Sequence, residues 1–422
     1  MNRPDKERMY KANELPTENK LSPAAQAAQT IGAVKKERDP RLDFFRGVAM
    51  LIIFVAHVPG NFWAKFIPAR FGPSDAAEMF VFCSGFAAAI AFGGTFRRSG
   101  FLMGTMRIVI RCVQLYVAHL GLFFVLATVC AVATAYFVDF NYITKLNLPY
   151  FFDNTTEALV ALFTLTYVPN FFDIMPMYIG VLALVPVVIL IARVHPYLVP
   201  VFSIALYAAT WQWQLEFPAE PFSDRPWFFN PLTWQLLFFT GFAISAGWIK
   251  APPPNKWLFI ACIIFVLALV PISNWPIMRA IPELKEIRTE LILGFKKTNF
   301  GLLRWLHFLA LAYICVTLLK GREQILRHRY FKPLIKCGQQ ALPVFLLGMT
   351  LSWIGGIVLD QIGRDALGLS LVNLSGMSIL IGYAYLMGWV KSSPWRQAPN
   401  KPIQLETKPE TDLNRTAAQP AE

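Results

Sequence analysis

Arg41-Leu-Asp-Phe-Phe-Arg-Gly-Val-Ala-Met-Leu-Ile-Ile-Phe-Val-Ala-His57 is the stretch on which the fold turns. From Phe44 onward it is apolar enough to enter a bilayer as a helix, yet it carries Asp43, Arg46 and His57. At 100° per residue the path from Arg46 to His57 turns about 1100° and leaves about 20°, so both side chains share one face. Asp43 precedes Arg46 by one short turn on nearly the same face. His57 then sits about 16 Å deeper along the axis than Arg46. Ionisable groups at that depth are costly and normally face a cavity or the interior of a bundle. Taken singly, Arg46 reads equally well as an anchor snorkelling to the headgroups, and His57 as a packed, hydrogen-bonded histidine. Taken together on one face they favour a site. A histidine near its ordinary pKa can act as a general base, and a guanidinium can hold a phosphate or carboxylate. The pairing suits acyl transfer from a phosphorylated donor entering on the inner side to a hydroxyl arriving on the outer side.

The rest of the chain agrees with a membrane setting. Its 422 residues are 55% apolar, 14% aromatic and only 15% charged, and the mean hydropathy is +0.45. A soluble domain carries about 25% charged residues, and the aromatic content excludes a disordered chain. The net charge of +13 would point to nucleic acid in a soluble protein. In an apolar chain it belongs to inner loops and sets orientation, so no nucleic-acid partner is expected. Six cysteines without a C-x-x-C pair read as small buried hydrophobes, neither a disulfide framework nor a metal site.

Ten apolar stretches, near 44–64, 76–96, 106–136, 176–193, 197–214, 229–248, 257–273, 302–319, 340–360 and 369–390, have about the length a spanning helix needs. The expected fold is therefore all-α, a polytopic transmembrane helix bundle of about ten spans. Residues 1–40 are a basic arm with no apolar signal region, 41–394 the transmembrane domain, and 395–422 a polar tail. Placing Lys35, Lys36, Arg38, Arg41, Arg97, Arg98, Arg107, Arg111 and the basic run Lys320–Lys336 inside puts both termini in the cytoplasm. The loop 274–300 then falls outside despite five positive residues, including Lys296 and Lys297. The half-length run Ala158–Val168 is too short to span and reads as interfacial or re-entrant. Residues 215–231, with Glu216, Glu220, Asp224 and Arg225 among prolines and aromatics, suit a lid or a sugar-contacting rim.

Other polar positions have two readings each. Asp75 and Glu78 have the spacing of a capping box, but Glu78 lies a turn inside an apolar helix, where a carboxylate could orient His57. Asn170, Asp173 and Tyr178, between Pro169 and Pro176, are either a capped turn or polar groups at an outer cavity mouth. Trp234 and Gln235 pose the same choice. Arg304 and His307 sit one turn apart inside an apolar run, whereas His119 reads as structural and His195 and His328 as loop residues. Walker, G-x-G-x-x-G, G-x-S-x-G and zincin motifs are all missing from the sequence.

Arg46, ten residues and His57 resemble the signature of membrane acyltransferases. Further blocks narrow the likeness: His57-Val-Pro-Gly-Asn, Ser74-Asp-Ala-Ala-Glu-Met-Phe, Leu165-Thr-Tyr-Val-Pro-Asn-Phe-Phe-Asp-Ile-Met-Pro-Met-Tyr and Arg304-Trp-Leu-His. Together they resemble the OpgC family over about residues 38–390. In this family the named activity is succinylation of osmoregulated periplasmic glucans in Gram-negative bacteria. The resemblance implies an enzyme of the bacterial inner membrane that moves an acyl group, succinyl first, from cytoplasmic acyl-CoA to glucan hydroxyls. Acyl-CoA is a co-substrate and no bound cofactor or metal is implied. Membrane lipid and a periplasmic glucan or other polysaccharide are the remaining partners. His57 would be base or transient acyl carrier, and Arg46 would hold the donor, with Asp43 and Arg41 beside it. Glu78 or Asp75 would set the imidazole tautomer. Asn170, Asp173, Tyr178, Arg304 and His307 would line the acceptor side. One departure stands out: after Gly338 the residues Gln339 and Gln340 are neutral where a basic residue is expected. Acetyl transfer to another surface polysaccharide is the nearest alternative. A saccharide or glycolipid transporter shares the polar stripe and aromatic rims, although the chain has no internal repeat.

Overall fold

The computed structural model describes residues 39–137 and 139–396. The arm and most of the polar tail expected at the two ends lie outside the described residues. The described helices form one compact unit. Its elements are α1 Pro40–His57, α2 Ala76–Ala88, α3 Gly94–Tyr136, α4 Thr155–Phe163, α5 Ile174–Ala183, α6 Val185–Val194, α7 Leu198–Trp213, α8 Pro231–Ala246, α9 Lys256–Leu269, α10 Leu302–Leu319, α11 Lys332–Gln339, α12 Ala341–Ile362 and α13 Ala366–Lys391. Short helical turns fill the connections, and strand-like pairing among the described residues is limited to a bridge between Pro218 and Pro226.

Five stretches are long and apolar enough to cross a membrane: Ala76–Tyr136, Ile174–Val194, Leu302–Leu319, Ala341–Ile362 and Ala366–Lys391. The first, at 61 residues, would be about 90 Å long as one straight helix, some three times a bilayer core. It is broken at Gly100, where φ is 79° and ψ is 179°, a conformation open to glycine. A π-helical turn at Ala89–Gly93 precedes the break. Two shorter apolar helices, α8 and α9, accompany these five. The outer faces are apolar, as lipid demands: α3 exposes Leu102, Met103, Val109, Val113 and Val117.

Close backbone approaches hold the centre together. A side chain at Gly47 on α1 would lie 1.8 Å from the Leu334 carbonyl, and one at Gly338 on α11 would lie 1.8 Å from that of Asp43. Small residues at such crossings let backbones meet, the usual seam between helices in lipid. Gly85 on α2 and Gly241 on α8 make a second reciprocal seam, against the carbonyls of Phe238 and Phe82. Aromatic and aliphatic side chains fill the interior in two clusters. One surrounds α1, α12 and α13 with the second half of α3, and the other surrounds α2, α5, α6 and α8.

The half-length run forms the nine-residue α4. Residues 215–231 fold as a small irregular hairpin closed by Ala219 N–H to Arg225 O at 2.8 Å and tied to the earlier loop by Val168 N–H to Ala219 O at 2.7 Å. The basic loop 274–300 is a chain of short helices, Trp275–Ala280, Glu283–Glu290 and Ile292–Phe295.

Candidate active site

His57 is the last residue of α1. Its Nδ1 lies 2.7 Å from the Ile53 carbonyl. A carbonyl only accepts, so Nδ1 carries the proton, and in the neutral ring Nε2 keeps its lone pair. The orienting group is therefore the helix's own backbone, in place of the carboxylate of Glu78 or Asp75 expected from the sequence. Lys297 and Asp75 lie within electrostatic range of the ring. Beyond α1 the chain is tied down by a reciprocal amide pair: Asn61 donates to Asn373 Oδ1 at 2.8 Å and Asn373 donates to Asn61 Oδ1 at 3.0 Å. Asn61 also donates to the Val55 carbonyl at 2.9 Å. Two buried amides thus fix the end of the helix that bears His57.

Asp75 and Glu78 form a full capping box at the start of α2, and they do more than cap. Lys297 Nζ lies 2.6 Å from Asp75 Oδ2. Arg304 donates from Nε to Glu78 Oε1 at 2.7 Å, and its terminal nitrogen lies 2.6 Å from the same oxygen and 3.6 Å from Asp75. Glu78 is fully buried and Arg304 nearly so. Each buried charge here has its counter-charge, as burial requires. His307, one turn further along α10, is bonded through Nδ1 to Ser74 Oγ at 2.7 Å, and Gly72 packs flat against its ring.

The N-terminal half of α1 has a different setting. A small cavity is lined by Arg46, Arg111, Ser84 and Tyr178, with apolar walls that include Phe80 and Phe345. The Arg46 Nε–H is buried and has no hydrogen-bond partner among the described residues. Two guanidiniums facing one small cavity make a place for an anion. Tyr178 belongs here with Arg46, apart from Asn170 and Asp173, with which its sequence position had grouped it. Arg41 does not line this cavity; it lies 3.5 Å from Glu323. Asp43 is fully buried where α1 meets α11.

Asn170 and Asp173 are brought together with the hairpin. Arg225 donates to Asn170 Oδ1 at 3.3 Å and to the Val168 carbonyl at 2.9 Å, and pairs with Glu220 at 3.0 Å. Asp173 Oδ1 accepts from the Phe228 amide at 3.0 Å. Burial pushes the Asp173 carboxyl up to about 7, against the Phe228 amide and Arg225, which pull it down. Trp234 and Gln235 are structural: the indole N–H donates to the Lys297 carbonyl at 3.0 Å, and the amide bonds Ser203 at 2.7 Å.

Sequence reasoning did not single out Lys297, Arg111, Ser74, Phe171 or Trp353 as site residues. For Lys297 a signal existed, since it is a positive charge in a loop that the charge rule places outside. Arg111 was absorbed into the count of orienting charges. The described residues contain no group of His, Cys, Asp and Glu able to hold a metal ion.

Residues 38–392 match a family model described as OpgC protein. The chain belongs to the OpgC family. This match spans every helix that builds the two halves of the site. OpgC membership suggests an acyltransferase, and the apolar helices of this OpgC chain suggest a multi-pass membrane protein. Neither a curated protein nor a solved structure matches it.

Proposed function

We propose that this OpgC-family chain is an O-acyltransferase of the bacterial inner membrane. It moves succinyl from cytoplasmic succinyl-CoA to hydroxyls of a periplasmic glucan, with ten spans and both termini on the cytoplasmic side. The observation that carries the reading is α1 itself. At its outer end His57 has Nδ1 committed to Ile53, and Nε2 has no hydrogen-bond partner among the described residues. About three turns away Arg46 shares a cavity with Arg111. The donor's anionic groups bind at the two guanidiniums, and its thioester arm runs along α1 toward His57.

His57 Nε2 takes the proton of a glucan hydroxyl as that oxygen attacks the thioester carbonyl. When the tetrahedral centre collapses, the carbon–sulfur bond breaks and the imidazolium returns its proton to the departing thiolate. The products are a glucan ester and free thiol, and histidine ends as it began. Asp75, Glu78, Lys297 and Arg304 hold the outer ends of α2 and α10 beside His57. Asn170, Asp173 and Arg225 form the rim on the acceptor side. Attaching succinyl adds a negative charge to each modified hydroxyl, which suits a polymer that responds to osmotic conditions.

Mass spectrometry of periplasmic glucans from a deletion strain, complemented with the wild-type chain or with His57→Ala at equal membrane abundance, tests this. Succinyl increments are expected with the wild type and not with His57→Ala. Increments that persist in the deletion strain, or acetyl increments in their place, would overturn the assignment of the group transferred.

A further inference from the structure

Phe171 holds a backbone conformation that phenylalanine rarely adopts, with φ at 76°. Such strain persists only where surroundings over-determine it, and it clusters at ligand clamps. Its side chain is 38% exposed and its ring meets two others edge-on, His57 at 5.6 Å and Trp353 at 5.8 Å between centroids. Trp353, on α12, is only 2% exposed. Its indole N–H is buried and has no hydrogen-bond partner among the described residues. An indole N–H normally finds a partner when buried, because a donor left unpaired keeps its desolvation penalty. Neither the ion cluster nor the inner cavity uses this group. The candidate base, a strained ring and an unpaired donor therefore stand within two ring contacts of one another.

We propose that Phe171 and Trp353 form the carbohydrate subsite for the acceptor. Phe171 is a movable cover that a pyranose ring displaces. Trp353 Nε1 then donates to a hydroxyl neighbouring the one that gives its proton to His57. The sugar's C–H face packs on the aromatic rings, the amphipathic match that tryptophan and its neighbours provide. This subsite rests on the acyl-transfer reading. Until the acceptor arrives the cover limits the access of water to His57, which is half-buried beneath it. Uncovered, water would take the sugar's place: its proton goes to His57 Nε2, its oxygen attacks the thioester, and the free acid and thiol result.

The test uses the full-length protein in detergent, with succinyl-CoA and unmodified glucans purified from cells that lack this chain. Trp353→Phe keeps a ring and removes the N–H. Its glucan KM is expected to rise about tenfold while the donor KM moves by less than about twofold. Phe171→Gly accepts the positive φ without strain, so it folds, and it removes the cover. Its thioester hydrolysis in the absence of glucan is expected to rise several-fold. An unchanged glucan KM in Trp353→Phe, an equal rise in both KM values, or hydrolysis that stays level in Phe171→Gly would each overturn the subsite while wild-type transfer stands. A wild-type protein that neither transfers nor hydrolyses would instead overturn the acyl-transfer reading, and the subsite with it.

Discussion

Arg304 and Arg46 are two guanidiniums drawn away from the surface of the same bundle, in opposite circumstances. Arg304 lies against Glu78 and near Asp75, and Lys297 completes a cluster of two positive and two negative charges. Arg46 lines a cavity with a second cation, Arg111, and its Nε–H lacks a partner. Compensated charge in a low-dielectric interior joins elements; uncompensated charge leaves room for a ligand to complete it. The ion cluster therefore reads as scaffold beside His57, and the Arg46–Arg111 pair is the proposed grip on the donor.

The sharpest way to break that contrast is to remove one member of the compensated set. Arg304→Met leaves Glu78 buried without its main counter-charge and is expected to cost about 3–5 kcal/mol of stability, seen as a fall in the detergent melting temperature. The double variant Glu78→Met, Arg304→Met removes both charges and should regain more than half of that loss. A double variant no more stable than the single one would mean that the pair is not self-contained.

Arg46→Ala should behave in the opposite way. Its melting temperature should stay near the wild-type value, because the buried Arg46 Nε–H has no hydrogen-bond partner among the described residues to lose. The KM for acyl donor should rise by the worth of a charge-assisted contact, about 1.5–3 kcal/mol or roughly tenfold to a hundredfold, with the glucan KM little changed. Steady-state kinetics with each substrate varied in turn measures this, and an effect confined to the glucan would move Arg46 out of the donor site. Arg111→Ala should follow Arg46→Ala in direction.

The smallest effect concerns pH at the outer rim. Asp173 has its folded-state pKa raised to about 7 by burial, well above its unfolded value. Its contribution to stability is therefore fully present at low pH and is lost as pH rises through about 7. Between pH 6 and pH 8 that amounts to about 1 kcal/mol. Asp173→Asn can still accept from the Phe228 amide but cannot ionise, so its melting temperature should vary less over this interval. An identical pH dependence in wild type and variant would remove Asp173 from the account.

How much of this is legible in the sequence depends on the range of the interaction. The helical face shared by Arg46 and His57 follows from the period of one helix, and the Asp75–Glu78 capping box from spacing within one turn. The ten apolar stretches fall largely on helices, and five helical stretches are long and apolar enough to cross a membrane, where a helix satisfies its own backbone hydrogen bonds. The Glu78–Arg304 pair, by contrast, joins residues 226 apart in the chain, and no local pattern connects them. The partner that orients His57 is hidden for the opposite reason. Its partner is a backbone carbonyl four residues back, which every helix offers and no side-chain motif advertises. Phe171 looks like any loop aromatic until its backbone angle is seen.

The central claim is that His57 Nε2 receives the proton of the acceptor hydroxyl. The most direct test is acyl transfer by purified His57→Gln in proteoliposomes, with succinyl-CoA supplied on the cytoplasmic face and glucan on the other. Unchanged melting behaviour with transfer reduced to background is the predicted result. Transfer at the wild-type rate would contradict the account.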